Sequence, residues 1–118
     1  MRSVPLLALA ATLLFTAGCH SRYIEATVTN HTSAPIPLLE VDYPSASFGT
    51  ENLAPEGVFH YRFKVLGSGP TKLLYTDAMH HDHTSDGPSL NESIEGRLSI
   101  DITNSAAQWS LTPKAATR

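Results

Sequence analysis

Apolar and polar residues alternate with a period of two along most of the chain, and this pattern constrains the fold more than any other feature. In "RYIEATVTN", Ile24, Ala26 and Val28 alternate with Glu25, Thr27 and Thr29. In "PLLEVDYP", Leu39, Val41 and Tyr43 alternate with Glu40 and Asp42, and in "GVFHYRFKVLG", Phe59, Tyr61, Phe63 and Val65 alternate with His60, Arg62 and Lys64. "TKLLYTDA" sets Leu73 and Tyr75 on one face, "GRLSIDITN" sets Leu98, Ile100 and Ile102 on one face, and "AAQWSLTP" offers Trp109 and Leu111. Successive side chains of a strand point to opposite faces, so each run reads as a strand with one dry and one wet side. Downstream of residue 18 no window keeps a helical period.

Turn chemistry separates the runs. "NHTSAPIP" carries Asn30, Ser33, Pro35 and Pro37, and "NLAPEG" carries Pro55 and Gly57. "GSGP", with Gly67 and Gly69, reads as a short hairpin-like link between the Phe63 and Leu73 strands. "SDGPSLNESIEG" reads as a longer loop. Six or seven short strands predict an all-β domain, a small antiparallel β-sandwich, with a small β-barrel as the alternative closure. The layout resembles immunoglobulin-like and fibronectin-like modules in its strand spacing and in the turn of Leu53, Pro55 and Gly57 that leads into the Phe59–Phe63 strand. The resemblance is architectural and implies no function.

The first segment, "MRSVPLLALAATLLFTAGC", has a positive Arg2, an apolar run from Val4 to Phe15, and small residues Thr16, Ala17 and Gly18 before Cys19. The run is short for a bilayer core of about 30 Å, and the three-part pattern is that of a secretory signal peptide. The ending "TAGC" resembles the lipobox of bacterial lipoproteins, although Thr16 stands where leucine is commonest. That resemblance implies cleavage after Gly18, a diacylglycerol on the Cys19 thiol and an acylated amine, palmitate included. Cys19 is the chain's single cysteine, so it has no internal disulfide partner.

On this reading residues 1–18 are the signal, 19–112 the domain and 113–118 a flexible tail. The protein is held to a membrane by lipid at Cys19, within roughly 10 Å of its surface, because only His20, Ser21 and Arg22 precede the first strand. His20 follows the cysteine where an aspartate would favour inner-membrane retention, which points to the outer membrane, facing the periplasm. Without residues 1–18 the chain has seven basic and eleven acidic side chains, a net charge of −4. That average argues against the domain itself lying on anionic lipid, and the absence of a basic stripe with interleaved aromatics argues against nucleic acid.

"TDAMHHDHTSDG" is the one chemically concentrated stretch, with His80, His81 and His83 among Asp77, Asp82 and Asp86. It is expected to form a hairpin tip. If the chain turns at His81–Asp82, His80 and His83 approach across the turn, and Asp77 or Asp86 becomes the third ligand of a zinc or copper site, with Met79 a soft ligand for cuprous ion. His20, His31 and His60 lie on other elements. The competing reading is a polar tip, since His and Asp tolerate turn conformations. A pH-sensing role is a variant, because clustered imidazoles gain charge in mild acid.

No nucleophile elbow, H-E-x-x-H or phosphate-binding glycine loop is present, so no catalytic residues are assigned and the expectation is a non-enzyme. Trp109 and the Phe59–Tyr61–Phe63 row are expected in the core. Two functions remain. One is a lipid-anchored, non-catalytic binding or structural module that meets an envelope protein through a sheet edge, with no small-molecule substrate. The other is a periplasmic metal-binding lipoprotein that uses the histidine loop.

Overall fold

A computed structural model describes residues 21–114, so the signal segment, Cys19, His20 and positions 115–118 lie outside the described residues. Eight strands form in chain order: β1 Ile24–Asn30, β2 Ile36–Tyr43, β3 Ala46–Leu53, β4 Val58–Phe63, β5 Lys72–Thr76, β6 Asp82–Asp86, β7 Gly96–Ile102 and β8 Ala107–Pro113. They build two four-stranded sheets, ordered β4-β1-β7-β8 and β3-β2-β5-β6. The all-β sandwich is therefore the fold, with open edges and no closed barrel.

The alternating residues of β1 and β7 supply its centre. Ile24, Ala26 and Val28 lie beside Leu98, Ile100 and Ile102 in a parallel ladder and are almost wholly buried. Leu39 and Val41 of β2 and Leu73 of β5 close over them from the second sheet. A buried aliphatic side chain contributes about 1.5–3 kcal/mol by leaving water, so these paired faces are the main favourable term in a domain without disulfides.

Three expectations need correction. The sequence reading gave six or seven strands; it missed β3 and β6. "GSGP" is not a hairpin: β4 pairs with β1 and β5 with β2, so the segment carries the chain from one sheet to the other. Gly67, at φ +100°, supplies the left-handed corner there. Gly69 forms a two-way backbone bridge with Leu90, which holds the crossover against the long β6–β7 loop and buries Leu90. At the other end, β8 runs through Pro113 and the Lys114 amide donates to Glu95, so these two residues belong to the domain and not to a tail.

The two open seams are closed differently. Along β3 and β4, Phe48 stacks on Tyr61 with centroids 4.6 Å apart, and Phe63 meets Tyr43 at 4.0 Å. Of the expected core row, Phe63 is buried, Phe59 half-buried and Tyr61 exposed, because Tyr61 covers Phe48 at the rim. Along β6 and β8, Trp109 reaches across the sandwich and its indole N–H donates to Ser85 Oγ at 2.9 Å. Trp109 is thus a half-buried wedge and not a central core residue. Gly87 makes room for it: a Cβ there would collide with the Trp109 ring and with Thr71 Oγ1.

Asn30, at the end of β1, is fully buried and fully bonded. Its Nδ2 donates to the Ala34 and Leu53 carbonyls, and its Oδ1 accepts from the Thr32 amide and hydroxyl, all at 2.7–3.0 Å. Its backbone also exchanges hydrogen bonds with Gly57 and Glu56. Loss of this set strands buried partners at about 1–3 kcal/mol each. Asn30→Ala is expected to lower unfolding free energy by about 3 kcal/mol in a urea titration. Asn30→Asp should be no better, because a carboxylate would face two carbonyls. Gly87→Ala should cost about 2 kcal/mol by displacing Trp109, visible as a red shift of its emission.

Candidate functional site

The topology divides the domain into two poles. β1 and β7 begin, and β4 and β8 end, at the pole where the described chain enters. The β1–β2, β3–β4, β5–β6 and β7–β8 turns gather at the far pole. The histidine stretch is the β5–β6 turn, so it lies there.

Its geometry differs from a turn at His81–Asp82. The His80 amide donates to the Asp77 carbonyl at 2.9 Å, and the Asp77 amide donates to the His81 carbonyl at 2.9 Å. The tip is therefore Asp77-Ala78-Met79-His80, and β6 has started by Asp82. His80 takes the left-handed position at φ +64°, which glycine, asparagine, aspartate and histidine populate most easily. The Asp77 side chain organises this tip. Its Oδ1 accepts the Met79 and His81 amides, both at 2.9 Å, in an Asx-type arrangement.

His83 is the first inward-facing residue of β6, paired with Tyr75 of β5. The two rings stack at 4.7 Å with 12° between planes. His83 Nε2 donates to Asp77 Oδ2 at 2.8 Å, while His81 Nδ1 stands 3.9 Å from the same oxygen. The His83 bond, the His81 amide and the Met79 amide hold the Asp77 carboxyl down to about 2 from an ordinary 3.8. Tyr75 is pushed the other way, by burial and then by the Asp77 charge.

Of the sequence-predicted residues, the structure brings together Asp77, His81 and His83. It does not bring in His80, which makes no side-chain bond to them, nor Asp86, which lies three residues beyond His83 on the opposite face of β6, across from Lys72. Among the described residues no group of three or more His, Cys, Asp or Glu side chains is arranged to hold a metal ion. The donor set fits a metal poorly, because both Asp77 oxygens are already used by the turn and by His83. The exposed Met79 points from the same tip. His31, missed as a partner of anything, lies at this pole between Glu56 (3.2 Å) and Asp101 (3.6 Å).

Sequence reasoning also missed a shallow hollow of about 200 Å³ between this turn and its neighbours, lined by Thr32, Ile36, Tyr75, Met79, His83 and Asn104. Only contact between the β1–β2, β5–β6 and β7–β8 turns creates it. An Asp–His pair at its rim orients an imidazole, as a general base would be oriented. Among the described residues no hydroxyl or thiol hydrogen-bonds to the His83 ring.

Because Asp77 is more acidic folded than unfolded, its contribution to stability is complete above about pH 4 and is lost as pH falls towards 2. Asp77→Asn keeps the amide acceptor and removes the charge. Between pH 5 and pH 2 the wild type should lose more melting temperature than Asp77→Asn, as read by circular dichroism.

No family model and no curated protein matches this chain. Among solved structures it is similar to the NMR structure of a protein from Eubacterium rectale, at 13% identity and a TM-score of 0.57, over 85% of this chain and all of that one. At that identity the likeness is one of fold.

Proposed function

We propose that the protein is a lipid-anchored, non-catalytic binding module of the cell envelope. The observation that carries this is the signal-like segment ending in "TAGC", whose cysteine stands five positions before Ile24, the first residue of β1. A link that short fixes which end of the domain faces the bilayer. With Cys19 acylated, the entry pole is membrane-proximal and the far pole, with its four turns and shallow hollow, faces the compartment. The rigid sandwich then acts as a platform, and a protein partner is met at the far turns or along the exposed polar edge of β6.

The Asp77 network supports this over a metal centre. It spends the carboxylate on shaping the turn, which presents Met79 and the histidines as a fixed surface. Anchoring by several acyl chains would be effectively permanent. Cells supplied with labelled palmitate should incorporate it into the wild type and not into Cys19→Ser. Equal labelling of both would remove the anchor from the reading.

A further inference from the structure

The net acidity of the chain conceals a segregation of its cations. Every lysine and arginine among the described residues lies in the entry half: Arg22, Arg62, Lys64, Lys72, Arg97 and Lys114. The far turns carry none, and that half holds Glu51, Glu56, Asp77, Asp82 and Asp101. Around the chain's entry point five cations, Arg22, Arg62, Lys64, Arg97 and Lys114, stand against Glu25, Glu92 and Glu95, while on the second sheet Lys72 lies between Asp42 and Asp86.

The cations surround the Tyr23 ring. Arg62 lies over the Tyr23 ring at 4.0 Å, with Lys64 at 5.6 Å from the same ring. Tyr23, Arg62, Arg97 and Lys114, together with Glu25 and Glu95, border an open basin of about 680 Å³. Beside it, Leu66 is 63% exposed and shares a shallow hollow with Ser21, Arg22 and Lys64, where the described chain begins. An unburied leucine, an interfacial tyrosine and a ring of long cationic side chains form the composition that partitions to a headgroup layer.

We infer that the entry pole docks directly on an anionic lipid surface, with Leu66 at the headgroup boundary and Arg22, Lys64, Arg97 and Lys114 against lipid phosphates. Two observations select this occupant: the sign of the charge at this pole, and the exit of the chain towards Cys19 from its centre. The inference rests on the anchored reading above. Each Lys or Arg near an anionic leaflet gains attraction that fades within a Debye length of about 8–10 Å, the distance at which the short link holds the pole. The acidic far half is repelled by the same surface, so the two halves together orient the domain upright. Glu25 and Glu95 pair with Arg62 and Lys114 at 3.6 and 3.5 Å, which leaves Arg22, Lys64 and Arg97 as the cations to test.

The test uses the full chain as isolated from cell membranes, reconstituted into phosphatidylcholine vesicles with or without about 30% phosphatidylglycerol. Flotation reads attachment, and amide hydrogen exchange reads docking. On anionic vesicles, backbone amides of residues 62–66 and 93–97 should exchange at least about fivefold more slowly than on neutral ones, while 77–81 stay unchanged. Added salt at about 0.5 M should abolish the difference, as should the combined Arg22→Gln, Lys64→Gln and Arg97→Gln variant. Flotation with equal exchange on both vesicles, or protection that survives the triple variant, overturns the docking and leaves the anchor standing. Failure to float on either vesicle overturns both.

Discussion

The buried amide of Asn30 is the point on which the two sheets depend for their relative placement. It sits where β1 leaves its sheet and binds the Leu53 carbonyl at the end of β3, a strand of the other sheet, while closing its own turn through Thr32 and Ala34. A sandwich without disulfides relies mainly on side-chain packing to stop one sheet sliding over the other, and the hydrophobic effect behind it is non-directional. The buried Asn30–Leu53 bond at one end and the Trp109–Ser85 bond at the β6–β8 seam supply the direction. The register within the first sheet, Ile24 against Phe63 and against Gly96, is carried by its backbone ladders.

The seams show a second division of labour. The β3–β4 seam is aromatic and adjustable, with Tyr61 laid over Phe48 at the surface. The β6–β8 seam rests on one indole hydrogen bond to Ser85 and on the absence of a side chain at Gly87. The Asp77 network occupies the far end of the same β6 strand. Strand β6 is therefore held from both sides: by Trp109 along its length, and by a carboxylate at the turn that introduces it.

Much of this was legible in the residues. The strict alternation in β1, β4 and β7 gave those strands, their faces and the sandwich, because burial of one face leaves its period in the sequence. β3 was illegible because its inward series breaks: Phe48 and Leu53 both point in, with Asn52 at φ +53° taking up the odd step. β6, "DHTSD", has no apolar residue at all and exists through its backbone ladder to β5, which leaves no trace in side-chain type. The hairpin assigned to "GSGP" failed for a related reason, since glycines signal a change of direction but not which sheet receives the next strand. In the histidine stretch the residue types were plain. That Asp77, and not a histidine, governs the turn was not, because the governing contacts are to backbone amides.

The pairing of β1 with β7 has a consequence for how the molecule comes into being. The central strand of the first sheet is the earliest in the chain, yet one of its neighbours lies some seventy residues later. Until β7 is available, Val28 and its fellows have only β4 to cover one edge, and the core cannot close. Contacts of such long sequence separation slow folding, so the nascent chain stays open and threadable until its last third arrives. On the envelope reading proposed above, that delay would keep the chain threadable while it crosses a membrane.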